Sequence, residues 1–136
     1  MTTNVKDNAV LRWIAVLPAS ALAAWVAWIA VTIGNRIFSG AQGIDTGSFL
    51  FRAGVEFIAS AAMGSAFVYV GAYVAPSHKK HAAYALAGIG FVVIGFLLFP
   101  ALLVSNYWAV WADFAAILGV AGVTYSIYTE DDAFEP

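Results

Sequence analysis

Cysteine is absent from this 136-residue sequence, and that omission excludes disulfides, thiolate metal sites and thiol redox chemistry together. Charge is scarce as well. Asp, Glu, Lys and Arg make up 10% of the residues, the formal net charge is -2, and no basic run is longer than Lys79-Lys80. The chain therefore lacks the positive field that nucleic-acid binding needs, and no nucleic-acid partner is expected. Also missing are a nucleophile paired with a base, a phosphate-binding glycine loop and paired transmembrane histidines for a haem. The glycines of "AGIGFVVIG" fall inside an apolar run, without the polar context of a nucleotide site. The expectation is a protein that is not an enzyme and holds no cofactor and no metal.

What remains is apolar. Hydrophobic residues account for 62% of the chain, and the mean hydropathy is +0.85. A soluble fold of this size has too much surface to cover with so few charges. Four apolar runs, from Trp13 to Ile33, Leu50 to Val74, Ala82 to Val104 and Tyr107 to Tyr128, each approach the roughly 20 residues that cross about 30 Å of hydrocarbon. The fold class expected is all-α: one domain over 1–136, a polytopic integral membrane protein built as an antiparallel four-transmembrane-helix bundle. "GNRIFSGAQGIDTGSF", residues 34–49, reads as an outer loop because Gly, Ser, Asp and Asn favour turns. "APSHKKHA" and "SNYW" are connections short enough for helical hairpins. Residues 129–136 read as an acidic cytoplasmic tail.

The segment "LPASALAAW" has small residues spaced as in a signal-peptide cleavage site. Its apolar run continues through "WVAWIAVTI", however, well beyond an ordinary h-region, and Arg12 interrupts its start. A retained first span is expected. Lys6, Arg12, Lys79 and Lys80 would share one side of the membrane and Arg36 and Arg52 the other, which by the positive-inside rule puts both termini inside, N-in/C-in. Tyr69, Tyr73, Tyr84, Tyr125 and Tyr128 then gather at the inner interface, with Tyr107, Trp108 and Trp111 at the outer one. With no organelle-targeting segment, the location expected is a bacterial inner membrane.

Helices in lipid associate through small residues that let backbones approach. Candidates are Ala15, Ala19, Ala23 and Ala27 in the first helix; Ser60, Gly64 and Gly71 in the second; Gly88 and Gly95 in the third; and Ala115, Gly119, Gly122 and Ser126 in the fourth. Pro18 and Pro100 fall inside helices, where each removes a donor and crowds the carbonyl four residues earlier, at Ile14 and Phe96. A kink is expected at each.

An ionisable residue inside the hydrocarbon costs about 2.5–3.5 kcal/mol and marks a candidate site. Glu56 and Asp113 qualify, each six residues into its helix and so about 9 Å deep. Arg52 precedes Glu56 by one turn. The intramembrane cluster expected is Arg52, Glu56 and Asp113, serving either as a neutralised clasp or as an exchange site for a cation or proton. His78 and His81 in "SHKKH" have no neighbouring acid or cysteine to complete a zinc set. That loop reads instead as an interfacial basic loop touching anionic headgroups.

Three kinds of small four-helix membrane protein have diagnostic residues that are missing here. The first helix lacks the acid of small multidrug transporters and the arginine-containing glycine pattern of fluoride channels, and the chain lacks the CxxC of thiol oxidoreductases of the vitamin K reductase type. Two functions remain open. One is a non-catalytic accessory, assembly or partner-binding module, whose partners are the lipid bilayer and a second copy or a larger membrane protein. The other is a homo-oligomeric ion- or proton-coupled channel or small-solute transporter using Glu56 and Asp113.

Overall fold

A computed structural model describes residues 5–130, so all of the acidic tail after Glu130 lies outside the described residues. The described residues form four helices: α1 (Val5–Ala41), α2 (Phe49–Val74), α3 (Lys79–Leu103) and α4 (Tyr107–Thr129). Each is long and apolar enough to cross a membrane. A helix satisfies its own backbone polar groups, and that is the requirement for a segment surrounded by hydrocarbon.

The first helix departs from the sequence reading. Residues 34–41, expected in the outer loop, extend α1 by about two turns. Their polar groups are absorbed within the helix, as where Asn35 donates from Nδ2 to the Val31 carbonyl at 2.8 Å, while Ile37 and Phe38 keep its surface apolar. The stop comes at Gly43, whose φ of 69° is the left-handed conformation glycine adopts without a Cβ penalty. Ile44 N–H bonds to Ser39 O at 3.0 Å and Gly43 N–H to Gly40 O at 3.3 Å, the paired bonds of a Schellman cap. The true loop is short, and Asp45 turns it by accepting the Gly47 N–H at 2.9 Å.

The same cap closes α3, with Asn106 N–H on Ala101 O at 2.9 Å and Ser105 N–H on Leu102 O at 3.1 Å. Here the left-handed position is Ser105, at φ 54°. Asn106 at once caps α4, accepting the Ala109 N–H at 3.3 Å. A serine in this conformation carries a Cβ clash that glycine avoids. Ser105→Gly is therefore expected to raise stability by about 0.5–1 kcal/mol, read as a later midpoint in denaturation of the protein in mixed micelles.

Helix α2 is the hub. Its backbone approaches those of α1, α3 and α4; α3 also meets α4, and among the described residues the backbone of α1 nears α2 alone. The closest seam joins α2 to α4. A Cβ on Gly64 would stand 2.5 Å from Ala116 O, and one on Gly119 would overlap Ala61 O and lie 2.8 Å from the Ala61 carbonyl carbon. Ser65 Oγ donates to Gly119 O at 3.1 Å across this seam. Trp111 Nε1 donates to Ala53 O at 3.0 Å nearer the helix starts. Val68, Ala72, Ala83, Ala87, Ala116 and Val120 fill the centre.

Helix α1 meets α2 through Val16, Ser20 and Ala24, all buried. Gly71 makes the room, since a Cβ there would collide with Ser20 Oγ and Leu86 Cδ1. Arg12 Nε donates to Val74 O at 3.1 Å, filling a carbonyl left open at the end of α2. Arg12 thus has a capping role beyond its charge.

The small-residue stripes are corrected in three places. In α1 the buried row is one residue on from the expected alanines, a rotation of about 100°. In α3, Gly88 and Gly95 are exposed and the contact falls on Ala83, Ala87 and Gly90. In α4, Ala115 and Gly119 are buried but Gly122 and Ser126 are exposed. The cause is common to all three. A helix bathed in lipid is apolar on every side, so composition does not mark its inner face. Pro18 and Pro100 are accommodated inside α1 and α3, neither of which is broken by them.

Candidate functional site

The end of α1 and the beginning of α2 diverge around a cleft of about 460 Å³. Thr32 and Arg36 line it from α1, with Gly47 from the loop, Arg52 and Glu56 from α2 and Trp108 from α4. Thr32 and Arg36 are one turn apart on α1, as Arg52 and Glu56 are on α2. The cleft thus collects two positive charges against one negative.

No ion pair closes within it among the described residues. Arg52 directs its guanidinium to the Trp108 ring, 5.4 Å from the centroid, a cation–π geometry. Trp108 in turn packs on Phe49, ring centroids 5.8 Å apart. An arginine four residues before a glutamate is the less favourable order for a helical ion pair, and the indole is the competing partner. The Arg52–Glu56 clasp expected from the spacing is therefore replaced by an Arg52–Trp108 stack.

Thr32 stands out in a second way. Ser20, Thr124 and Thr129 each return a hydroxyl hydrogen bond to the carbonyl four residues earlier, at 2.7, 2.7 and 3.1 Å. Thr32 does not. Its Oγ1 is buried with no hydrogen-bond partner, alone in this respect among the described residues. An unmet buried hydroxyl costs about 1–3 kcal/mol.

Asp113 lies elsewhere. It is half-buried on α4, is not part of the cleft wall, and makes no hydrogen bond or ion pair with any described residue. Seven residues before Val120, it lies within about 20° of the same helix face. Val120 packs between α2 and α3, its Cγ2 3.1 Å from where a Gly64 Cβ would stand and 3.5 Å from a Gly90 one. Around Val120 is a wholly apolar slot of about 140 Å³, lined by Ala24 from α1, Phe67 from α2, and Gly90 and Ile94 from α3. The backbones of α1 and α3 stay apart among the described residues; their side chains meet where Val16 clusters with Ala82 and Leu86, and the slot lies between the two helices.

Glu56 and Asp113 are thus level but separate. Trp111 keeps the two helices in step through its bond to Ala53 and its tilted contact with Phe57, centroids 5.3 Å apart. Rotation about the helix axes then sends Glu56 into the cleft with α1 and leaves Asp113 outside it. The sequence reading missed Arg36 as a site residue because it ended the first helix at Ile33, and missed Thr32 because nothing in a sequence marks a hydroxyl left unpaired. A helix carried two turns further aligns Thr32, Arg36 and Gly40 at four-residue spacing. At the other end His78 and His81 pack edge to face, centroids 5.9 Å apart, with His78 in a left-handed turn at φ 50°.

No protein-family model, curated protein or solved structure matches this chain.

Proposed function

We propose that this protein is a non-catalytic module of the membrane, an accessory or assembly subunit that receives a partner helix within the bilayer. The reading includes an antiparallel arrangement of the four spans, both termini inside, in a bacterial inner membrane. The partner is a second copy or a larger membrane protein. The observation that carries it is Asp113: a carboxyl inside a span, half-buried and without a hydrogen-bond or ion-pair partner among the described residues, two turns before Val120 of the apolar slot. Leaving such a group unmet in hydrocarbon costs a few kcal/mol. A helix presenting a basic or hydrogen-bond-donating group to Asp113, and apolar side chains to the slot around Val120, removes that cost.

A channel or transporter using both acids needs them on one path. Their separation onto different faces favours the module. The test is photocrosslinking in intact membranes, with the photoreactive residue at Val93 beside the slot or at Leu118, about 200° around α4 from Val120. A discrete protein adduct of one mass from Val93, and lipid adducts alone from Leu118, is the expected outcome. Lipid adducts alone from both positions reject the partner.

A further inference from the structure

We infer that the cleft between α1 and α2 is a binding site for a phosphate group, supplied by the headgroup of an anionic phospholipid. Three features converge there. Arg36 and Arg52 face one cavity with only Glu56 to offset them, and neither arginine is spent in an ion pair among the described residues. Guanidinium is the side chain whose planar fork fits phosphate oxygens. Trp108 holds the Arg52 guanidinium by its face, which leaves its edge N–H groups directed outward and lowers the entropy lost on binding. Thr32 lines the same wall, and its hydroxyl, buried here without a partner, would reach the cleft through the second χ1 well open to threonine in a helix.

The surroundings favour a lipid over a soluble anion. Ile37, Phe38, Phe49 and Leu50, beside the cleft in sequence, are all strongly exposed. On a chain with four membrane-length helices such residues belong in acyl chains. The cleft then lies at headgroup level, its arginines reaching phosphate while the tails run down the exposed side of α1. Glu56, at the inner end of the Arg52 turn, repels a second anion and holds the net charge of the site at one positive, which suits a single phosphodiester. This site is independent of Asp113 and of any protein partner.

The experiment uses the full chain in lipid discs of phosphatidylcholine with a minor share of phosphatidylglycerol, with retained lipid counted by native mass spectrometry. Wild type is expected to retain phosphatidylglycerol selectively, and Arg36→Gln/Arg52→Gln to weaken that retention about 30-fold, as two basic contacts require. Lys79→Gln/Lys80→Gln removes the same charge from the headgroup-touching loop at the opposite ends of the spans, where no cleft encloses the lipid, and is expected to lower retention by less than about threefold. Equal retention by the arginine variant, or equal loss from the lysine variant, overturns the site. Thr32→Val keeps the side-chain shape and serves even where the double variant fails to fold. It is expected to lower retention about fivefold, and no change counts against the site. Inorganic phosphate is the competing probe. Displacement of phosphatidylglycerol by inorganic phosphate at comparable concentration overturns the lipid assignment in favour of a soluble anion.

Discussion

Gly119→Ala is expected to cost about 3 kcal/mol and to part α2 from α4. The added Cβ would overlap Ala61 O and stand 2.9 Å from Ala61 Cα. Because the obstacle is backbone, no rotamer change relieves it. The helices must separate, and overpacking of this kind costs about 1–3 kcal/mol. Separation also stretches the Ser65 bond to Gly119 O, now 3.1 Å, which adds about 0.6 kcal/mol by the average for membrane helices. Gly122→Ala is the control. A Cβ there meets nothing within 4 Å, and alanine is the better helix former by up to about 1 kcal/mol. Unfolding in mixed micelles, followed by far-ultraviolet circular dichroism, should therefore move in opposite directions for two glycines one turn apart. Equal midpoints would remove Gly119 from the seam.

Gly71→Val should release α1 while leaving the rest of the fold assembled. Its Cβ would collide with Ser20 Oγ and Leu86 Cδ1. Ser20 is fully buried and held to Val16 O at 2.7 Å, so it has little room to yield. Because the backbone of α1 nears that of α2 alone, and Leu86 on α3 meets the new group only with the end of a flexible side chain, a cost of about 2 kcal/mol at this contact falls mainly on the docking of α1. The cysteine-free chain permits a direct readout. Cysteines introduced at Ala15 and Val74 should lose cross-linking by a bis-maleimide in the Gly71→Val background, whereas cysteines at Phe49 and Trp108 should keep it. Loss at both pairs would mean that the fold does not divide in this way.

The glycines behind these predictions show what the sequence made legible. Gly64, Gly71 and Gly119 could be picked out because only small residues allow such approaches, and small residues are visible in a sequence. Gly88, Gly95 and Gly122 look the same and face outward. What separates the two groups is rotation about the helix axis, and an all-apolar helix carries no polar stripe from which to read it. The same gap explains the displaced row in α1, where Val16, Ser20 and Ala24 are buried one position along from the alanines.

The candidate site failed to read through for a related reason. Depth follows from counting residues along a helix, and Trp111 holds α2 and α4 in step as counted. Azimuth does not follow from counting, so Glu56 and Asp113 could be placed at one level without being placed on one face. Arg36 was hidden by turn-forming residues that the structure makes helical. The stop signal was present all along in Gly43, but Gly34 and Gly40 resemble it, and only the paired cap bonds distinguish the glycine that ends the helix.

The central claim is that Asp113, and not Glu56, awaits a group from another chain. The direct measurement is the mass of the particle extracted from its own membrane in polymer discs, without detergent, for wild type, Asp113→Asn and Glu56→Gln. One complex of fixed stoichiometry is expected for wild type and Glu56→Gln, and its loss in Asp113→Asn with the helical content of the chain unchanged. A wild-type chain that is monomeric, or an Asp113→Asn chain that keeps the same complex, would contradict it.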